Sequence, residues 1–488
     1  MISNYLTSIG VTVKASSRAG LQHRFPTNLL SCEALDLMKP TFFPSNATSR
    51  SKALWERACK VAPLGVQGDG KYYAPFPHFI TRAKGAALWD ADGTQYIDYW
   101  NGAGPCVLGH ADDEVEAKVA EVIATRGVIF CAANDLEVEL GEALARHIPC
   151  AEMSAFLNAG SDVLYMAARL ARAATGRRIL VKFAGAYHGW YEDLLFNVSS
   201  YSEPADNRGL YAPLPESTGI TREAVEQIRV LDFNDIAAIE QLFEREGNDI
   251  AGVVVEPIMH GPVTGCITPE ANFLERLRSL CTAHGSLLIF DEILTGFRHH
   301  IGGAQALLGV IPDLAAFGKA IANGHPIAAL CGRRAVMEHL APSGRAFFSG
   351  TYNGNIASVA AALATIDRLT DGSTFERIFR LGAQLGDGLN AIFKRHGLEA
   401  NARTFGSVVA IHHSRQALKN FGDVWRHHDM SFGADLATFM FNNAIYSKPR
   451  RTQRLLVSAA HTEGDIDRTL EVFERFYSFR ALAVRGGA

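Results

Sequence analysis

Short, continuously apolar segments alternate with longer segments of helical periodicity through the middle of the chain. The apolar segments are ILVKF (179–183), AGVVVEPI (251–258), SLLIFDE (286–292) and AALCG (328–332). Strands that are apolar at every position are typical of a sheet covered by helices on both faces. The pattern therefore predicts an α/β fold, with a large, mostly parallel mixed sheet flanked by helices, over residues 112–374.

The two ends of the chain follow other patterns. GAALWDADGTQYIDYWNG predicts a hairpin that turns at Asp92-Gly93 and lies within the segment 51–111. Residues 375–488, which end in the helical pattern DIDRTLEVFERFYSF, predict the C-terminal part of a small α+β domain that also includes residues 51–111. Residues 1–50 have little periodicity, and we interpret them as an N-terminal extension.

Composition and charge argue against several classes of protein. The 488 residues are 48% hydrophobic and 20% charged, with a net charge of -4 and no basic stripe, so we expect no nucleic-acid partner. No apolar run approaches the ~20 residues of a spanning helix, so we expect no membrane partner. The eight cysteines include no CxxC pair and the histidine doublets lack ligand spacing, which indicates reduced thiols and no metal site.

The sequence allows two interpretations of the protein's cellular compartment. The reduced thiols favour a cytoplasmic protein. Residues 1–31 contain no Asp or Glu, a few basic residues and several Ser and Thr, which is also typical of an organelle transit peptide.

Four polar features stand where ligands bind in such sheets, beyond the carboxyl ends of strands. They are Asp291 in SLLIFDE, the small residues of NAGSD before a long helix, Tyr187 in FAGAYHGWY, and Lys319 in PDLAAFGKAIANGHP. Each has a structural alternative: an ion pair or helix cap for Asp291, a simple cap for Ser161, core packing for Tyr187 and a solvated surface charge for Lys319. The neighbouring Glu292 is the better candidate for a structural carboxylate.

Together these features predict a site for pyridoxal phosphate. Such a site needs a lysine that forms an imine, a carboxylate facing a heteroaromatic nitrogen, an aromatic cover and a helix start that binds phosphate. Lys319 is the only lysine between Lys182 and Lys394. Arginine could not replace it, because a guanidinium does not deprotonate near neutral pH and forms no imine.

The sequence resembles the class III, fold-type I pyridoxal-phosphate aminotransferases, and within them the glutamate-1-semialdehyde aminomutase branch. The resemblance runs from about residue 63 to residue 477. It rests on LWDADGTQYIDYWNGAGPCVLGH, NAGSD, KFAGAYHG, VVVEP, LLIFDEILTGFR, PDLAAFGKAIANGHPIAAL, FFSGTYNGN and SAAHTEGDIDRTL.

The resemblance implies roles for individual residues. Lys319 would hold the cofactor as an internal aldimine and carry the proton, and Asp291 would pair with the ring nitrogen. Ile293 and Tyr187 would cover the two faces of the ring. The remaining implied cofactor residues are Gly160 and Ser161 at the phosphate, Glu256 near the cofactor edge, and Thr351, which would reach the phosphate of a second subunit in a homodimer.

The chain departs from the aminomutase branch where the substrate would bind. Lys71 stands near the position of an arginine that holds the substrate carboxylate, Ala103 replaces a tryptophan, and Gln453 replaces a glutamate. Lysine lacks the bidentate fork of arginine, so carboxylate recognition would change. The segment near Gln453 also gathers a basic cluster, which either faces the active site or forms a solvated edge: Lys448, Arg450, Arg451 and Arg454.

These departures favour an aminotransferase that moves an amino group between a donor and a ketone or aldehyde acceptor by a ping-pong mechanism. Two alternatives stay open: an intramolecular aminomutase of the glutamate-1-semialdehyde type, and a catalytically silent homologue that binds pyridoxal phosphate. By the same resemblance, SEPADNRGLYAPLPESTGIT (202–221) would be a mobile gate over the site.

Overall fold

The structure is a computed structural model that describes residues 49–73, 75–128, 131–204, 209–448 and 451–486. Most of the predicted extension, and the whole of the transit-peptide alternative, lie outside the described residues. The strands are β1 Ile80–Lys84, β2 Ala87–Asp90, β3 Gln95–Asp98, β4 Met153–Leu157, β5 Ile179–Phe183, β6 Leu210–Tyr211, β7 Ile228–Leu231, β8 Ile250–Val255, β9 Leu287–Glu292, β10 Leu314–Phe317, β11 Ala328–Gly332, β12 Ala400–Phe405, β13 Val408–His413, β14 Ile445–Tyr446 and β15 Gln453–Leu456.

The α-helices separate these strands in a largely alternating order. They are α1 Ser49–Ala58, α2 Asp113–Arg126, α3 Asp135–His147, α4 Gly160–Thr175, α5 Arg222–Glu226, α6 Ile236–Glu246, α7 Phe273–His284, α8 Gly303–Leu308, α9 Arg334–Met337, α10 Ile356–Thr370, α11 Ser373–His396, α12 Phe421–His427, α13 Ser431–Asn442 and α14 Glu463–Gly486.

An eight-stranded sheet has the order β4-β11-β10-β9-β8-β5-β7-β6. Strands β10, β9, β8, β5 and β7 are parallel to one another, while β11 is antiparallel to both its neighbours and β6 is antiparallel to β7. Every residue of β5, β8, β9, β10 and β11 is buried, because helices cover both faces. The predicted mostly parallel mixed sheet is therefore confirmed, as are the four apolar strands read from the sequence.

The predicted hairpin is also present, as β2 and β3, which pair antiparallel around residues 91–94. It belongs to a four-stranded sheet with the order β1-β2-β3-β14, in which β14 comes from the C-terminal part of the chain. A third sheet has the order β12-β13-β15. Segments from both ends of the chain thus build one sheet, and the boundaries near residues 111 and 374 stay predictions.

Arg298, which follows β9, ties these sheets together. Its buried guanidinium donates to Gly104 O (2.7 Å), Ser407 Oγ (3.1 Å) and Val457 O (3.1 Å), so one side chain joins segments from the beginning, middle and end of the described chain. No helix among the described residues is long and apolar enough to cross a membrane. Within the same residues, the cysteines are free thiols and no cluster of His, Cys, Asp and Glu could hold a metal ion.

Candidate active site

The carboxyl ends of four neighbouring parallel strands meet at one edge of the large sheet. The chain leaves β5 toward Tyr187 and His188, β8 toward Glu256, β9 at Asp291 and β10 toward Lys319. Because parallel strands end at the same edge, residues that are far apart in the sequence come together there.

A cavity of about 280 Å³ lies at this edge. Every residue predicted to bind the cofactor, except Thr351, lines it: Gly160, Ser161, Tyr187, Glu256, Asp291, Ile293 and Lys319. The structure thus brings together the lysine, the carboxylate, the aromatic ring and the helix start that sequence reasoning singled out separately.

Asp291 is fixed from two directions. Its carboxylate is buried, with Oδ1 accepting the backbone N–H of Ile293 at 3.0 Å and Oδ2 lying 2.7 Å from His188 Nδ1. The adjacent Glu292 points the other way and accepts the backbone N–H groups of Ala304 (2.7 Å) and Gln305 (3.0 Å) at the start of α8. The interpretation of Glu292 as the structural carboxylate is confirmed.

His188 is a site residue that sequence reasoning missed. Its ring is buried, and Nε2 has no hydrogen-bond partner among the described residues. Burial lowers the pKa of His188, and the opposing effect of the Asp291 hydrogen bond is smaller. The available signal was its place directly after Tyr187 in FAGAYHGWY, where a polar residue follows the end of a strand.

Glu256 lies in the same cavity and is held by the backbone. Its Oε2 accepts the N–H of His260 at 2.6 Å. Burial, and secondly the nearby Asp291, raise the pKa of Glu256 to about 8, against the lowering effects of that hydrogen bond, Lys319 and Arg454. Burial and the neighbouring Asp291 therefore both favour the protonated form of this side chain.

Lys319 begins a 3-10 helix, Lys319–Ala322, and has a left-handed φ of 46°. Few residues other than glycine adopt this region, so the surrounding contacts must hold the turn. Asn323 supplies two of them at the far end, because its amide accepts from Leu108 N–H (3.0 Å) and donates to Gly109 O (2.9 Å). The turn aims the Lys319 side chain into the cavity.

Gly160 and Ser161 open α4, whose N-cap residue is Ala159. Alanine has no side-chain oxygen that could accept from the first amides of the helix, and the carboxylate of Asp162 accepts the N–H of Ala159 itself at 3.1 Å. The amides of Gly160 and Ser161, at the positive end of the helix dipole, face the cavity and suit an anion such as phosphate.

Tyr187 and Ile293 form walls of the cavity. Tyr187 is 44% exposed, and burial of the rest of the ring raises its pKa, while a hydrogen bond from Ser161 acts in the opposite direction. Ile293 packs against Gly160 and Gly318, two glycines that leave room for its branched side chain.

The residues predicted to bind substrate or to complete a second site do not line the cavity. Lys71 is exposed at the end of the 3-10 helix Asp69–Lys71, and Thr351 is exposed on a turn. Ala103 lies between two lining residues, Gly102 and Pro105. Gln453 is buried, where its amide donates to Gly433 O (3.1 Å) and accepts from Ser447 Oγ (3.0 Å). Their substrate roles stay predictions.

The basic cluster splits into members with different surroundings. Arg454 is buried on β15, donates to the carbonyl of His260 and opposes the raised pKa of Glu256. Arg451 is exposed and lies over the ring of Trp425, with its carbon Cζ 4.9 Å from the ring centre. Neither expected arrangement describes the whole cluster, and Arg450 lies outside the described residues.

The segment predicted as a gate is partly described. It contains the short strand β6, and Oε1 of Glu216 accepts the backbone N–H groups of residues 198–200 at 2.7–2.8 Å. These contacts anchor the described part of the segment to the large sheet. Its role as a gate stays a prediction.

Known proteins resemble this chain over nearly its whole described length. The sequence pattern of the class-III aminotransferases matches residues 70–464. A glutamate-1-semialdehyde 2,1-aminomutase of Acetivibrio thermocellus is 38% identical over 434 residues, which cover 88% of this chain and 98% of that protein.

Solved structures extend the comparison to transaminases. An omega-transaminase from Sphaerobacter thermophilus has a TM-score of 0.84 and 30% identity, covering 88% of this chain and 98% of its own. The FumI protein of Sphingopyxis sp. MTA144, solved in its PLP internal aldimine form, has a TM-score of 0.76 and 30% identity, covering 89% and 98%.

Proposed function

The chain belongs to the class-III aminotransferase family, and on that premise we propose that it is an aminotransferase that moves an amino group from an amine donor to a ketone or aldehyde acceptor in two half-reactions. Its cofactor is pyridoxal 5'-phosphate. The observation that carries the proposal is the cavity in which Lys319, Asp291 and Glu256 meet.

The residues of the cavity fit this cofactor. The amides of Gly160 and Ser161 at the start of α4 offer N–H donors to a phosphate, and Asp291 offers a fixed carboxylate to a ring nitrogen. Lys319 supplies the amine that would attach the cofactor. When bound, pyridoxal phosphate withdraws electrons from the carbon that carries the amino group, which makes the proton on that carbon acidic.

The protein's own residues would then place charges and move protons. Asp291 holds the ring nitrogen in its protonated form, because a carboxylate next to a cation favours the charged state. The amine of Lys319 would take up the proton from the substrate carbon that carries the amino group and would give it back. Tyr187 and Ile293 would orient the ring from its two faces and keep water away from those faces.

The small number of basic side chains in the cavity lining favours transfer of the amino group to an external acceptor. Among the described lining residues, only Lys319 and His325 have basic side chains, and Lys319 is committed to the cofactor. No arginine among the described lining residues is placed to bind the carboxylate of glutamate-1-semialdehyde in a bidentate manner.

The test is a half-reaction screen. Holoenzyme would be mixed with single amines, and the absorbance band of the bound cofactor followed in time. We expect an amine donor to bleach the band and an added ketone or aldehyde to restore it, with neither change in Lys319→Ala. A wild-type band that no amine bleaches would instead identify a silent cofactor-binding homologue.

An aminomutase is the second candidate, and the 38% identity to a protein of that name favours it. The same cofactor residues would serve both reactions, because the reactions differ in whether the amino group moves to a second molecule or to a neighbouring carbon of the same molecule. Glutamate-1-semialdehyde supplied alone separates them. Rapid formation of 5-aminolevulinate, with no turnover of external acceptors, would replace the aminotransferase by the aminomutase.

We also propose that the enzyme acts as a homodimer. Support comes from an exposed aromatic surface beside α4, in which Trp190 stacks on Tyr191 (4.6 Å between ring centres) and Tyr191 on Tyr165 (4.5 Å). Trp190 is 64% exposed, and Phe347, whose carbonyl accepts from Arg169 at 2.7 Å, is 66% exposed. Exposed aromatic side chains of this size are typical of protein interfaces.

A further inference from the structure

Cys106, in the loop between β3 and α2, forms a hydrogen-bonded chain with His110 and Asp98. Its Sγ lies 3.4 Å from Nδ1 of His110, and Nε2 of the same ring lies 2.7 Å from Oδ2 of Asp98. A thiol beside an imidazole that a carboxylate orients is the arrangement that activates cysteine nucleophiles. None of the three is among the described residues that line the cofactor cavity, so the proposed amino transfer does not use this chain.

The carboxylate and the imidazole are held in place independently of the thiol. Asp98 is buried at the end of β3, and its carboxylate also accepts the backbone N–H groups of Trp100 (2.7 Å) and Asn101 (3.0 Å). The backbone of His110 pairs in both directions with Gly85, at 2.8 Å each. The imidazole is therefore fixed beside the sulfur by the ends of strands.

The hydrogen bonds locate one proton between the sulfur and the ring. An ionised carboxylate only accepts, so the hydrogen in the 2.7 Å contact belongs to Nε2 of His110. Nδ1 then either accepts from the thiol or, in an imidazolium, donates to a thiolate. Burial disfavours an imidazolium, but the hydrogen bonds to Asp98 and Cys106 outweigh it and raise the pKa of His110 to about 10. An adjacent imidazolium favours the thiolate, which is the nucleophilic form of cysteine.

The sulfur of Cys106 lies directly behind the wall of the cofactor cavity. Gly102 and Gly324 line that cavity, and a Cβ atom added to them would lie 3.8 Å and 3.5 Å from Sγ, respectively. At these two positions the wall is backbone alone, so little more than one layer of atoms separates the sulfur from the cavity. Cys106 is only 7% exposed, so a reagent that reaches it must be small.

We propose that Cys106 is a redox modification site, a thiol activated by His110 and Asp98 that a peroxide oxidises to a sulfenic acid, and that this oxidation weakens cofactor binding. The thiolate sulfur attacks one oxygen of hydrogen peroxide, and the O–O bond breaks. The leaving hydroxide takes the proton from Nδ1 of His110 and becomes water. The sulfur is thereby oxidised by two electrons and carries the other oxygen as S–OH, which needs space that the glycine wall must give up.

The other cysteines provide internal comparisons. Burial raises the pKa of the remaining buried thiols that the structure describes, which keeps them in the less reactive protonated form: Cys150, Cys266, Cys281 and Cys331. Cys59 and Cys131 are exposed, and no hydrogen bond joins either to an imidazole in the described part of the chain. Access alone predicts that these two react first, whereas activation predicts that Cys106 does.

The first test is a competition among the cysteines of one protein. Holoenzyme is treated with hydrogen peroxide, the peroxide is removed with catalase, and the chain is unfolded with dimedone, which traps sulfenic acids. Peptide mass spectrometry then gives the labelled fraction of each cysteine against time. We expect Cys106 to be oxidised at least about tenfold faster than Cys59 and Cys131. Equal or slower oxidation of Cys106 would overturn the inference.

Asp98→Asn separates activation of the thiol from its mere position. The amide can still pair with His110 but carries no charge to favour the imidazolium. We expect the oxidation rate of Cys106, relative to Cys59 in the same protein, to fall about tenfold in this variant. An unchanged relative rate, in a variant whose melting temperature shows that it folds, would exclude the activation by His110 and Asp98.

The second test measures the effect on the cofactor site. Apoprotein is oxidised, desalted and titrated with pyridoxal phosphate, and we expect a dissociation constant about tenfold above that of the reduced protein, because the added oxygen overpacks the wall. Cys106→Ser has a side chain of similar size that forms no sulfenic acid, so its affinity should survive the same treatment. An equal loss in Cys106→Ser, or none in wild-type protein oxidised at Cys106, would overturn the link to the cavity. Neither test involves amino transfer, so both are independent of the proposed reaction.

Discussion

A Cβ atom added to Gly160 would lie 3.0 Å from Cδ1 of Ile293, so the residue at the start of α4 and the residue after β9 are in direct contact across the cavity. The resemblance implied separate roles for the two, one at the phosphate and one at the ring. Their contact means that the size of one constrains the position of the other.

Gly160→Ala should therefore weaken cofactor binding through Ile293. The glycine does not have a left-handed φ, so alanine causes no backbone strain and the effect is steric. Overpacking of this kind costs about 1–2 kcal/mol, which is roughly tenfold or more in the dissociation constant of the cofactor. Adding Ile293→Val, which removes Cδ1, should recover part of the affinity, and a double variant weaker than both single variants would contradict the contact.

The adjacent carboxylates of β9 should respond in opposite ways. Asp291→Asn is expected to lower turnover by at least about 100-fold, because it removes the charge that faces the cofactor, with little change in melting temperature. Glu292→Gln is expected to lower the melting temperature, because it weakens the contacts with the start of α8. Equal loss of stability in the two variants would show that Asp291 is also structural.

Sequence reasoning placed Asp291 at the cleft and Glu292 away from it because both placements depend on local pattern. A strand that is buried on both faces can place only its terminal side chains in a cleft, and the period of two sends neighbours to opposite faces. The same argument located Lys319 and the start of α4. The shared edge of the sheet followed from the α/β class alone.

Other features depend on three-dimensional surroundings that the sequence does not encode locally. Lys182 is the one charged residue of the apolar segment ILVKF. The sequence alone does not show whether its amine reaches solvent, and the structure shows that it is fully buried. Arg454 and Arg451 belong to the same basic segment. Arg454 is buried and donates to the carbonyl of His260, whereas Arg451 lies over the ring of Trp425 at the surface. Burial of a charge depends on which distant segments cover it, so periodicity could not separate these arginines.

His110 should stabilise the loop at the mouth of the cavity in a pH-dependent way. Burial alone would lower its pKa, but the contact of Nε2 with Asp98 Oδ2 at 2.7 Å, supported by Cys106, raises it to about 10. A raised folded-state pKa means that the stabilisation is fully present below the unfolded value of about 6.5 and is lost as the pH rises through 10.

We therefore expect His110→Ala to lower the free energy of unfolding by about 3 kcal/mol at pH 6, and the difference from wild type to shrink by pH 10. Urea unfolding at several pH values measures this. Lys118→Ala, which removes an exposed ion pair with Glu121, is the control and should change stability by less than about 0.5 kcal/mol at any pH. A His110→Ala effect of constant size would mean that packing, not charge, is responsible.

Glu256 should show the opposite dependence on pH. Its folded-state pKa of about 8 lies above the usual value of 4.5, so the folded protein binds the extra proton between these values and loses stability as the pH rises through them. Glu256→Gln mimics the protonated side chain and removes this loss. We expect the variant's melting temperature, relative to wild type, to rise between pH 6 and pH 9, whereas a falling difference would show that the charged form is the stabilised one.

Thr351 offers a direct test of the proposed homodimer, because it is exposed and does not line the cavity of its own chain. If Thr351 of each subunit reaches the phosphate of the other, Thr351→Ala should raise the cofactor dissociation constant, and Lys319→Ala should remove activity altogether.

A heterodimer of these two variants contains one site with Lys319 and an intact Thr351 from the partner subunit. Mixed and reassembled subunits should therefore regain one site of wild-type affinity and activity for each heterodimer. If Thr351 instead served its own chain, that site would combine Lys319 with the alanine, and the mixture would bind cofactor no better than Thr351→Ala alone.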